Sequence, residues 1–159
     1  MESFNVRWST SSIVITAITG LVLLGFFIYL LVTHKGIKDV ATIAFIIVVL
    51  SSIGLIGLIP TKIQLGNGEL TVHRVIGNKT FRLDEINKAF IPKDVSALKL
   101  CGSGGLCGNI GWYRSDGLGI YFSYVMDKDQ SFCIILSNGD KYMLSCDDSK
   151  KLATLLSNQ

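Results

Sequence analysis

The stretches STSSIVITAITGLVLLGFFIYLLVT (residues 9–33) and VATIAFIIVVLSSIGLIGLIPT (residues 40–61) contain no Asp, Glu, Lys or Arg, whereas the rest of the chain is charged at ordinary density. Roughly 20 mostly apolar residues cross a bilayer as a helix. A helix buried in a soluble domain would instead show an amphipathic stripe, and Ile43–Ile59 is apolar nearly all round. The reading is two spanning helices, at about residues 12–32 and 39–59. Arg7 ahead of the first run fits a secretory signal. The run is nevertheless longer than a signal's apolar core, and Leu31-Val32-Thr33-His34 offers no small-x-small cleavage site. The first helix is therefore expected to be retained.

The segment between the runs, His34-Lys35-Gly36-Ile37-Lys38-Asp39, is long enough only for an antiparallel hairpin, which leaves both termini on one side. Basic residues near the spans set the orientation. Lys35 and Lys38 stand on one side; Arg7 and Lys62, then Arg74 and Lys79, stand on the other. The small excess predicts a cytoplasmic C-terminal domain. Neither run holds an ionisable residue, so no transport path is indicated. Thr16, Gly20, Gly54 and Gly57 are small enough for close helix contact. The domains expected are a transmembrane hairpin over 1–60 and a second unit over 61–159. Cys101, Cys107, Cys133 and Cys146 lack the spacing of a disulfide scaffold and read as free thiols in a reducing compartment.

Beyond Pro60, which closes the second helix, the chain reads as strands. Lys62–Leu65 and Glu69–Val75 flank Gly66-Asn67-Gly68, a hairpin turn. Gly77-Asn78 turns into Lys79–Leu83, and further extended runs lie near Lys88–Pro92 and Ala97–Leu100. A glycine-rich interruption, Gly102–Gly111, precedes strands at Gly119–Met126 and Ser131–Ser137. Asn138-Gly139 then leads into Lys141–Cys146. After Asp147 and Asp148, which suit a helix start, Leu152, Leu155 and Leu156 fall on one helical stripe. The soluble part is thus about seven strands and a C-terminal amphipathic helix whose leucines plug the core.

That outline resembles a pleckstrin-homology-like (PH-like) domain, a bent antiparallel barrel or sandwich capped by a helix. Two helices followed directly by such a domain are similar to bacterial membrane proteins carrying bacterial PH domains. Leu83-Asp84-Glu85-Ile86 is similar to a short acidic segment of that family. Cys101-Gly102-Ser103-Gly104-Gly105-Leu106-Cys107-Gly108-Asn109-Ile110-Gly111-Trp112-Tyr113 resembles a Gly-Ser-Gly-Gly-Leu-aromatic-Gly segment of PH-domain proteins in Bacteroidetes-type bacteria, with Cys107 at the aromatic position. The resemblance implies a membrane-anchored α+β chain in the inner (plasma) membrane. It brings no catalytic residue.

Chemical motifs are weak. The dinucleotide fingerprint fails at Cys107, and a Walker loop fails at Asn109-Ile110 after Gly108. Cys101 and Cys107 are too far apart for a zinc knuckle, and with two His in the chain a nucleophile would have only His73 beside it. The acidic pairs Asp84-Glu85, Asp127/Asp129 and Asp147-Asp148 fit turns or a helix start. No enzyme, metal, cofactor or nucleic-acid partner is expected. The glycines read as backbone at positive φ or close to another surface. Leu106, Ile110, Trp112 and Tyr113 in that segment are either core or the anchors of an interaction site. Arg74, Lys79 and Arg82 are the candidate contacts to anionic lipid. The expected function is a membrane-tethered interaction or assembly module, meeting a protein partner or a second copy; the alternative is a lipid- or small-ligand-sensing domain at the membrane surface.

Overall fold

A computed structural model describes residues 2–33, 40–92, 97–105 and 107–157. Helix α1 spans Thr10–Val32. Ser9 precedes it in extended conformation, and its hydroxyl accepts the Ser12 N–H, capping the first turn. Within the helix, threonine hydroxyls turn back on the backbone: Thr16 Oγ1 donates to the Ser12 carbonyl at 2.7 Å and Thr19 Oγ1 to that of Ile15 at 2.8 Å. Helix α2 covers Val40–Gly57. The Phe45 ring lies 5.5 Å from that of Phe26 and 6.1 Å from that of Phe27, so the helices touch side by side. By length and composition, Thr10–Leu30 is apolar enough to cross a membrane; the apolar stretch of α2, Thr42–Gly57, is shorter.

The remaining elements are mostly antiparallel strands and a C-terminal helix. One sheet holds, in spatial order, β1 (Glu2–Asn5), β2 (Pro60–Gly66), β3 (Glu69–Arg74) and β4 (Asn78–Arg82). β1 was not expected: it precedes α1 and pairs with β2, which follows α2, in the register Glu2↔Leu65 to Asn5↔Lys62. The β2–β3 turn is as the sequence predicts. Asn67 at φ 55° and Gly68 at φ 77° supply the two positive dihedrals of a tight hairpin.

The second sheet has β5 (Ile86–Phe90), β6 (Leu98–Gly105), β7 (Gly108–Ser115), β8 (Gly119–Val125), β9 (Ser131–Leu136) and β10 (Lys141–Ser145). Its spatial order is β5-β9-β10-β8-β7-β6, with β10 and β8 parallel. Among the described residues no ladder joins the two sheets, so they do not close into a barrel. The described strands also outnumber the seven expected, because β1 was missed and the glycine-rich segment is a ladder rather than an interruption.

Helix α3, Ser149–Ser157, lies against β5 and β9. Leu152 and Leu156 are buried and Lys150, Lys151 and Thr154 face solvent, as their spacing predicts, whereas Leu155, expected to be buried with them, is only half-buried at the edge of the stripe. The main core lies between the first sheet, one face of the second and α3. It contains Ile63, Leu70, Val72, Phe81, Phe132, Ile134, Leu144 and Leu152, each worth roughly 1.5–3 kcal/mol on burial. A smaller cluster, including Tyr113, Tyr121, Val125, Cys133 and Met143, occupies the opposite face of the second sheet. β10 is therefore buried on both faces, which is why Met143 is as hidden as Leu144.

Candidate functional site

The glycine-rich segment forms the β6–β7 hairpin, and the glycines are explained by backbone proximity. Gly102 at φ 122° pairs with Gly111 at φ 134°. A Cβ on Gly102 would collide with the Ile110 carbonyl, and one on Gly111 with that of Cys101. At the tip, a Cβ on Gly105 would come within 2.9 Å of Ile15 in α1, and one on Gly108 within 2.5 Å of the Met126 sulfur. The hairpin tip is thus pressed against the first turns of α1. The Cys107 N–H donates to Thr16 Oγ1 at 2.9 Å, and the Ser9 N–H to the Met126 carbonyl at 3.2 Å.

Alternation along β7 divides the residues singled out from the sequence. Ile110 is wholly buried in the main core. Tyr113 is buried on the opposite face, where its hydroxyl donates to the Ser103 carbonyl and its ring stacks on Tyr121. Burial, with Tyr121 beside it, pushes the Tyr113 hydroxyl up to about 12. Trp112 is 48% exposed. Leu106 lies outside the described residues.

Trp112 shares its face with Ile110 and is the outer end of an aromatic row. Its ring meets Phe122 edge-on, with centroids 5.2 Å apart, and Phe122 lies 4.8 Å from Tyr124 and 6.5 Å from Tyr142. Tyr142 in turn meets Phe81 of β4 at 4.8 Å. The core face of the second sheet therefore continues past the cover of the first sheet as an exposed apolar surface at Trp112 and Ile120. The alternation of Ile120, Phe122 and Tyr124 was the signal in the sequence for this row; their pairing with Trp112 was not visible there.

The three cations do not converge. Arg74 donates to the Tyr124 hydroxyl and to the Asn78 carbonyl, each at 3.3 Å. Lys79 lies over the rings of Phe81 and Tyr142. Both sit on the side of the first sheet that carries Val72 and Phe81. Arg82, two residues along β4 from Thr80, points to the other side. There it forms a bidentate pair with Asp84, whose carboxylate also raises the Arg82 pKa.

His73 Nε2 is 2.9 Å from Gln64 Oε1. Burial raises the Cys133 and Cys146 thiols to about 11, which keeps them protonated. Among the described residues no group of three or more His, Cys, Asp or Glu is placed to hold a metal ion. Residues 61–159 match the family model described as a bacterial PH domain. No curated protein and no solved structure matches the chain.

Proposed function

The chain belongs to the bacterial PH domain family, and from that premise we propose that it is a non-enzymatic interaction module held at one face of the inner membrane by a helical hairpin. The β1–β2 ladder supports the hairpin. β1 precedes α1 and β2 follows α2, yet the two are hydrogen-bonded neighbours. Whatever lies between them must cross a bilayer an even number of times. If α1 crosses, α2 is the segment that returns. At 1.5 Å per residue its 18 residues span about 27 Å, close to the roughly 30 Å of hydrocarbon. The same ladder argues for retention of α1, since cleavage after it would take β1 from the sheet. Arg7 and Lys62 favour the cytosolic side for the domain.

The observation that carries the interaction role is the apolar face around Trp112, an aromatic anchor left half-exposed beside a ring already packed into the core. Aromatics in such positions dominate binding energetics. The partner is a protein or a second copy of the chain. A photo-crosslinking residue placed at Trp112 in the full chain, activated in native membranes, should yield a discrete adduct. The same probe at Lys150, on the exposed side of α3, should not. Absence of any adduct from Trp112, with the protein folded and inserted, removes the basis for this reading.

A further inference from the structure

We propose that the β3–β4 turn, Val75-Ile76-Gly77, is seated in the bilayer itself, its two aliphatic side chains lying in the boundary between headgroups and acyl chains beside the end of α2. This rests on the membrane reading above and extends it from the helices to the domain. The turn is fixed to α2 by backbone bonds. The Ile76 N–H donates to the Gly57 carbonyl at 2.9 Å and the Val75 N–H to that of Ile59 at 3.0 Å. The first of these donors satisfies a carbonyl that the end of the helix leaves open, and the second ties the turn to the link between α2 and β2. Ile76 also packs directly on Gly57, where a Cβ would stand 3.0 Å from its Cδ1. The turn therefore stands level with the last turn of an apolar helix, inside the uncharged run that continues to Thr61.

At that level both side chains are largely exposed, Ile76 beyond its contact with Gly57: Val75 is 52% and Ile76 67% exposed. Two adjacent β-branched aliphatics on a tight turn are an unusual choice for water, since such turns favour Gly, Asn, Asp and Ser. Ile53 and Ile56 of α2 are exposed as well, so the turn extends the helix's apolar surface rather than standing alone.

The other side of the hairpin sets the same level independently. The β6–β7 tip reaches Thr16 of α1, about 9 Å beyond the start of the helix at 1.5 Å per residue. From Thr16 to Val32 about 25 Å of helix remains, comparable to the full length of α2. Trp8, partly exposed just ahead of α1, is the residue type that marks the headgroup layer. Both ends of the domain that meet the helices thus lie at one depth, and the polar first turn of α1, Ser9–Ser12, falls within the headgroup zone. The occupant of the Val75–Ile76 surface is then the lipid of the leaflet that α1 and α2 enter.

The test uses the full chain, with Cys101→Ser, in vesicles of phosphatidylcholine and phosphatidylglycerol. An environment-sensitive fluorophore is attached at Ile76→Cys, Leu50→Cys or Asn138→Cys. Quenching is compared between a nitroxide high on the lipid acyl chain and aqueous iodide. The Ile76 label should be quenched strongly by the lipid nitroxide and several-fold less by iodide than the Asn138 label. A Leu50 label quenched by lipid, beside an Ile76 label quenched by iodide as fully as the one at Asn138, overturns the seated turn alone. An Ile76 label shielded from both quenchers means that protein covers the turn, and overturns it too. A Leu50 label that lipid nitroxides fail to quench overturns the membrane reading and the seated turn together.

Discussion

Gly102 and Gly117 differ in what an added methyl group meets. Gly102 sits at φ 122° against the Ile110 carbonyl, while a Cβ on Gly117 finds open space. Gly102→Ala should therefore destabilise the chain by at least about 1–3 kcal/mol, the cost of a backbone conformation that L side chains avoid, and Gly117→Ala should be nearly neutral. Thermal unfolding in detergent separates them, and equal melting temperatures would contradict the close approach of β6 and β7. The thiols give a second prediction at this scale. In the folded chain Cys133 and Cys146 hold their protons up to about 11, against 9.0 for an ordinary thiol. A raised folded pKa means stability that is complete below pH 9.0 and lost as pH rises toward about 11. Urea titrations should show a decline across that window of up to about 1.4 kcal/mol per pH unit for each thiol, and Cys146→Ala should make it shallower. The glycine cluster was legible in the sequence as backbone in special conformation. Which glycines face each other was not, because that depends on the register of β6 on β7.

Among the elements, α3 was the most legible, since the spacing of Leu152, Leu155 and Leu156 marks its buried side from the order of residues alone. Leu152 is wholly buried and Leu155 only partly. Leu152→Ala is expected to cost roughly 2–5 kcal/mol, and Leu155→Ala clearly less. Denaturant midpoints for the two variants check the order, and a reversed order would mean that the helix is rotated from the position described. Lys151 pairs with Glu2 at 3.0 Å with both side chains about half exposed, so Lys151→Ala should shift the midpoint little. The tight turns were legible too. Asn67-Gly68 forms a two-residue hairpin, whereas at Asn138-Gly139 only the glycine takes positive φ and the Gly139 N–H returns to the Leu136 carbonyl. β1 was not legible: four residues carry no usable alternation, and their partners lie beyond both helices. The parallel pairing of β10 with β8 was hidden for a related reason, because a strand buried on both faces loses the alternation that would orient it.

For the whole molecule, the ladder and the basic residues beside Arg7 and Lys62 predict one sidedness. In intact cells, in a Cys101→Ser background, an impermeant thiol reagent should label Thr33→Cys, at the far end of α1, and leave Asn138→Cys unmodified until the cells are opened. The opposite pattern inverts the orientation, and labelling at both sites means that the segment between β1 and β2 does not cross. The apolar runs made the two N-terminal helices visible at once, but the junction between helices and domain was not, because it is built from contacts at Gly57, Thr16 and Gly105 that no composition announces. The β1–β2 ladder also bears on how the molecule is made. β1 is made before α1 and α2 and has nothing to pair with until β2 follows it, by which time both helices have emerged. Joining such distant strands through a flexible connection would cost on the order of 3–4 kcal/mol in closure entropy. If the two helices fold in lipid as proposed, they meet that cost beforehand by bringing the two ends together. On the proposed membrane reading, completion of the first sheet is a checkpoint on insertion: a chain whose helices fail to insert would present β2 as a bare edge, open to aggregation or proteolysis.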